Sequence, residues 1–291
     1  MSTSWRDVYP YTGKYLDVDG GKLHYLDEGD SEGPVLLALH GNPTWSFYWR
    51  ALIEAFPNHR VVIPDHIGCG LSDKPQEWDY RLAQHISNVQ ALIDHLALKD
   101  IRLMVHDWGG AIGMGVATAT PDNFSKLIIT NTAAFLSPRI PTTIAMCRIP
   151  FLGSLMVRGG NAFARVATFR ATYSGLKKPV KEGLLFPYDS WKNRIATHRF
   201  VVDIPMKPSH PSYTTLQGIE NRLSLLQDKP MMLLWGDDDF CFSPHFRKRW
   251  MEFFPQAAVH AWDDVGHYVM EDAPDRVIPL VREFLSTDVA S

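Results

Sequence analysis

At 291 residues the chain is longer than one average domain, within the range of a doubly wound α/β fold carrying an insertion, and long enough for a large core. Apolar residues make up 45% and charged residues 21%, and a formal net charge of −3 offers no basic excess for a nucleic-acid partner. Cys69, Cys147 and Cys241 are an odd number at wide spacings and there is no H-x-x-x-H pair, so neither a disulfide framework nor a zinc site is read.

The N-terminal stretch from Met1 to Tyr11 lacks the apolar region of a secretory signal, and no apolar run reaches the roughly 18 residues of a spanning helix. The expectation is a cytoplasmic protein without a membrane span. Lys14 to Val18 and Lys22 to Asp27 flank Asp19-Gly20-Gly21, a hairpin signal. Pro34 to Leu39 is a continuous apolar run ending in His40-Gly41-Asn42-Pro43, followed by a helical segment from Trp45 to Phe56. Arg60 to Pro64 is the next strand, and Tyr80 to Leu98 places Leu82, Ile86, Val89, Ile93 and Leu96 at helical spacing. Ile101 to Val105 reads as a buried parallel strand and Trp108 to Thr120, rich in Ala, Gly and Met, as a buried helix.

Leu127 to Thr130 is another buried strand, after which the β/α rhythm fails between about Phe135 and Thr214. That stretch is rich in proline and holds helix-like pieces at Leu155 to Ala167 and Trp191 to Phe200, so it reads as an inserted helical cap. The rhythm resumes with strands at Pro230 to Trp235 and Ala257 to Ala261 and helices at Pro244 to Phe254 and Pro274 to Leu285. Strands alternating with helices predict a mostly parallel central sheet with helices on both faces. The expected division is a core at 1–135, a cap at 136–214 and the rest of the core at 215–291. Phe135, Phe151, Leu152, Phe163, Phe169 and Leu184 are candidates for the cap's own core or for a pocket beneath it.

In a sheet of this kind ligands gather at the carboxyl ends of the strands. Asn42, Asp107, Asp237 to Asp239 and His267 all follow predicted strands. Asp107 sits in the turn between a strand and a helix, with Gly109 and Gly110 behind it to let the two pass closely. An aspartate with a reference pKa of about 3.9 is already an anion at neutral pH and suits attack on an sp³ carbon bearing a leaving group. The plainer alternative is a side chain that only caps the helix. His267, with a reference pKa of about 6.5, suits a general base, against the alternative of a single backbone bond at a helix end. Asn42 as a turn former and Trp108 as a packing residue are likewise the structural alternatives for those two.

The turn at Asp107 resembles the nucleophile elbow of α/β-hydrolases, with Asp in place of Ser, and the chain order of nucleophile, acid and histidine is that of their triad. H-G-N-P-T-W-S-F-Y-W-R at 40 to 50, P-D-H-I-G-C-G-L-S-D-K-P at 64 to 75, V-H-D-W-G-G at 105 to 110, W-G-D-D-D at 235 to 239 and V-G-H-Y at 265 to 268 together resemble the haloalkane dehalogenases. The resemblance implies an α/β-hydrolase fold with an inserted helical cap. It makes Asp107 the nucleophile, His267 the base, Asp239 the acid by its W-G-x-x-D spacing, and Asn42 with Trp108 the pair that binds halide. Asp237 and Asp238 are left as loop residues.

With no carboxylate in Thr130 to Ala134 and no tryptophan in the early cap before Trp191, the combination resembles the subgroup that also includes olefin-pathway β-lactone decarboxylases. The implied chemistry is hydrolytic dehalogenation of a small apolar substrate through an ester on Asp107, releasing alcohol and halide without a cofactor. In the alternative, the same residues open a β-lactone and release an alkene. An epoxide hydrolase would need tyrosine donors, for which Tyr173, Tyr188 and Tyr213 are available, and a non-catalytic binding module is the remaining reading. The sequence carries no signal for oligomeric state.

Overall fold

The computed structural model describes residues 4–287, and its strands fall where apolar and turn-forming residues alternate. In chain order they are β1 (Lys14–Val18), β2 (Gly21–Gly29), β3 (Val35–Leu39), β4 (Arg60–Pro64), β5 (Ile101–His106), β6 (Phe124–Thr130), β7 (Met231–Gly236) and β8 (Ala258–Trp262). They form one sheet in the order β1-β2-β4-β3-β5-β6-β7-β8. β1 with β2 and β2 with β4 are antiparallel, and every later pairing is parallel. The opening hairpin turns at Gly20 and Gly21, whose φ angles of 95° and 127° L side chains rarely adopt.

Consecutive residues of the central strands enter opposite cores. Leu37, Leu103, Ile129 and Leu233 face one side, and Leu36, Met104, Ile128 and Leu234 face the other. Burial on both faces is why these strands are unbroken apolar runs in the sequence. The first face is covered by helices α2 (Leu82–His95) and α3 (Trp108–Ala119) and by the helix Pro244–Phe253; the second by α1 (Arg50–Ala55) and by the helix Pro274–Ser286. α3 is buried nearly all round, and a methyl group on Gly109 would overlap the Leu39 carbonyl oxygen. β6 starts three residues earlier than the apolar run at Leu127 because Lys126 is itself buried, its Nζ donating to the carbonyls of Phe284 and Leu285 at 2.7 and 3.1 Å.

Between β6 and β7 no described residue joins the sheet. The expected helix from Leu155 to Ala167 is interrupted at Gly159, Gly160 and Asn161. A π turn spans Leu155–Gly159, Asn161 takes φ 53°, and a new helix runs over Ala162–Arg170. Two adjacent glycines cost helix stability that no burial at this exposed point returns. The segment from Trp191 divides into a 3-10 turn, Lys192–Arg194, and a helix, Ile195–Val202. Lys178–Leu185 and Tyr213–Arg222 are helices without a counterpart in the sequence reading. Pro179 stands in the first turn of the former, where it starts a helix rather than breaks one. The stretch has its own small cluster of Ile144, Cys147, Val157 and Val201, with Phe163 and Phe240 packed against it.

All three cysteines are unpaired. No helix of the described residues is long and apolar enough to cross a membrane.

Candidate active site

Register brings the polar residues together. Strands β3, β5, β6 and β7 lie side by side, so the residues just past their ends, Asn42, Asp107, Asn131 and Asp239, share one edge, and His267 reaches it from beyond β8. Asp107 has φ 51°, the sharp turn that lifts its carboxylate off the sheet edge, and its side chain takes no capping bond from α3. Instead its Oδ1 accepts the backbone N–H of Asn42 at 2.6 Å, and the nearby backbone N–H of Trp108 favours its charged form. Oδ2 faces His267 Nε2 at 3.8 Å. The other face of that imidazole is held by Asp239, whose Oδ2 accepts from Nδ1 at 2.7 Å.

Of the three consecutive aspartates only Asp239 meets His267. Asp237 is paired with Arg247 at 2.8 Å and Asp238 is exposed. Asn131 had no place in the sequence reading, and it fixes this corner. Its amide accepts from Gly236 N and donates to Gly236 O, while its Nδ2 also donates to Asp239 Oδ2 at 2.9 Å. The one sequence signal was its position immediately after a buried strand. His106 is the second such residue. Its Nε2 donates to the His267 carbonyl at 2.9 Å, and burial pushes its pKa well below the histidine range, so it stays neutral.

Burial raises the pKa of Asp107; the proximity of His267 and the backbone N–H groups of Asn42 and Trp108 oppose that shift without cancelling it. For His267, burial alone would lower the pKa, and the charge and hydrogen bond of Asp239, helped by Asp107, raise it above the usual value. An imidazole that must be neutral to accept a proton therefore works on the alkaline side of an ordinary histidine. Replacing Asp239 with Asn removes the anion that raises it. Asp239→Asn is expected to slow any step that draws a proton from water by about 10² to 10⁴-fold and to move the acidic limb of its pH profile to lower pH, as read by stopped-flow hydrolysis across pH 5 to 10. An unshifted limb would remove Asp239 from this role.

Asp107, Trp108, Asn42 and His267 all line a cavity of about 360 Å³. Its walls are largely apolar, with Phe135, Ile144, Val157, Phe163 and Phe246 among them. Two of the six candidate lining residues, Phe135 and Phe163, are therefore in the wall. Leu184 is buried in the second core, and Phe151, Leu152 and Phe169 are exposed, a placement the sequence reading did not foresee. The side-chain amide of Asn42 donates to the Thr197 carbonyl at 3.0 Å, leaving one of its N–H bonds for a bound group beside the indole of Trp108. Tyr173, Tyr188 and Tyr213 do not line the cavity: Tyr173 is exposed, and the Tyr188 hydroxyl is directed to the Thr44 carbonyl. None of these three is therefore in place to donate to an epoxide oxygen in the cavity.

Residues 34–274 match the family model for the alpha/beta hydrolase fold. The chain belongs to the α/β-hydrolase fold family. Within that family it is 44% identical to a cis-3-alkyl-4-alkyloxetan-2-one decarboxylase of Shewanella oneidensis, an alignment covering 96% of this chain and 90% of the relative. It is 30% identical to haloalkane dehalogenase 2 of Mycobacterium tuberculosis, over 95% of this chain and 96% of that one. Among solved structures it superposes on haloalkane dehalogenase DbeA from Bradyrhizobium elkanii with a TM-score of 0.85 at 25% identity, covering 95% of this chain and 99% of that one. Relatives named as decarboxylase and dehalogenase make this α/β-hydrolase a hydrolase-like enzyme.

Proposed function

We propose that this α/β-hydrolase converts a cis-3,4-dialkyl β-lactone to an alkene and carbon dioxide, with Asp107 as nucleophile and residues 136–214 as a cap over the site. The observation that carries the reading is the split role of the Asp107 carboxylate: Oδ1 is fixed by a backbone N–H, and Oδ2 is turned toward His267 at the edge of an apolar cavity. About 360 Å³ is the volume of roughly twelve water molecules, far more than a two-carbon haloalkane fills. The greater likeness to oxetan-2-one decarboxylases than to the dehalogenase at 30% identity supports the same order.

The chemistry follows from those positions. Oδ2 attacks the ring carbon that bears the lactone oxygen, the carbon–oxygen bond breaks with inversion, and the freed carboxylate takes the electron pair. Backside attack leaves that carboxylate opposite the new ester bond. Cleavage of the carbon–carbon bond to the carboxylate then releases carbon dioxide, forms the double bond with the two alkyl groups still cis, and returns Asp107 as a carboxylate. No water is consumed. The Trp108 indole and the remaining amide N–H of Asn42, both in the cavity wall, support this reading as donors to the departing carboxylate.

Haloalkane dehalogenation is the second reading, supported by the Trp108 donor beside Asp107 and by the dehalogenase relatives. There the same attack expels halide, and His267 activates water to hydrolyse the ester. Purified protein given a long-chain cis-β-lactone and, separately, 1-bromobutane or 1,2-dibromoethane separates the two. Expected are rapid alkene formation by gas chromatography and slow bromide release. Fast bromide release with no alkene would overturn the lactone reading.

A further inference from the structure

Between residues 139 and 194 the chain carries ten lysines and arginines against two carboxylates, Glu182 and Asp189, although its total charge is −3. Arg139, Arg165, Arg170 and Lys192 are exposed. The same stretch holds large apolar side chains in water: Phe151 is 92% exposed, Phe169 67% and Leu155 62%. Phe151 also has φ 62°, a conformation unfavourable for an aromatic residue, and projects from a surface turn. The cations and rings are interleaved. Arg158 lies over the Trp191 ring at 4.7 Å and Lys181 over Phe169 at 3.4 Å, while Leu155 and Trp191 flank Gly159.

This apolar surface continues into the cavity. Val166 and Met146 are 52% and 44% exposed, and both also line the cavity that holds Asp107. Exposed apolar patches of this kind mark contact surfaces, and a basic rim around inserted apolar groups is the pattern by which proteins sit on anionic lipid.

We propose that this face docks on an anionic phospholipid bilayer, with Phe151, Leu155 and Phe169 entering the interface and Arg165, Arg170 and Lys192 over the headgroups. The cavity mouth then opens toward the acyl phase, and a dialkyl substrate reaches Asp107 without crossing water. The delivery route rests on the proposed apolar substrate; the docking itself does not. Self-association through this face would set the same excess of cations against each other, which a phospholipid headgroup layer neutralises.

The test is co-sedimentation of the whole protein with vesicles of phosphatidylcholine containing about 30% phosphatidylglycerol, and with phosphatidylcholine alone, at low and high salt. Binding to the anionic vesicles that weakens in high salt is expected. The double variants Phe151→Ser with Leu155→Ser, and Arg165→Glu with Arg170→Glu, should each lower it by about tenfold or more without changing turnover of a short soluble substrate in lipid-free buffer. Absence of binding to anionic vesicles, or equal binding by both variants, overturns the proposal. So does a shift by either variant from oligomer to monomer in light scattering, because a second copy would then be what covers the face. Vesicle binding without alkene formation would leave the docking intact and sink the lactone reading alone.

Discussion

Asp107→Asn is expected to abolish turnover of lactone and haloalkane alike, by on the order of 10⁴-fold or more, because an amide oxygen lacks the charge that both reactions require at the first step. The geometry should survive the change. An amide oxygen in the place of Oδ1 still accepts from Asn42, and the amide nitrogen in the place of Oδ2 can face His267. Stability should move the other way. Burial raises the Asp107 pKa in the folded protein, so the neutral form is the one folding favours. The stability that protonation supplies is fully present below the unfolded pKa and is lost as pH rises through the higher folded value. At neutral pH the wild-type carboxylate is therefore a burden that Asn does not carry. Thermal unfolding should show the variant at least as stable as wild type at pH 7, with the difference shrinking on acidification toward pH 4. Retained turnover would remove Asp107 from the role of nucleophile; a variant less stable than wild type at pH 7 would contradict the electrostatic account alone.

His267→Gln is expected to divide the two reactions. With 1-bromobutane the first displacement proceeds and the butyl ester stays on Asp107, so bromide appears as a single stoichiometric burst. Steady-state hydrolysis falls by about 10² to 10⁴-fold, the ordinary contribution of a general base. Intact-mass spectrometry should then show a protein heavier by one butyl group. With a β-lactone no water is consumed, so alkene formation should survive the substitution to a far greater degree. An enzyme in which both reactions fall together and no adduct forms would show that His267 acts on the first step, through the 3.8 Å gap to Asp107 Oδ2.

Much of this site is legible in the sequence. The order of strands and helices, the elbow at Asp107 and the late histidine follow from local properties: continuous apolar runs where a strand is buried on both faces, and small residues where α3 must pass close to β3. Asp239 was read from the spacing its relatives use, and it is the aspartate that meets His267. Asn131, His106 and the bond from the Asn42 amide to Thr197 could not be read in this way. Each acts on a group far along the chain, Asp239, the His267 carbonyl and the Thr197 carbonyl, and only the parallel register and the packing of the inserted helices bring those groups within reach.

The inserted stretch is where sequence and structure part most. Its apolar residues look alike in the sequence, yet Phe163 lines the cavity, Leu184 joins the core and Phe151 stands in solvent. The sheet's pattern is set by a period of two that each strand carries within itself. The inserted helices, at most ten residues long, are too short for the helical period to mark one face, and each apolar side chain finds its place from whichever neighbour the tertiary fold sets beside it.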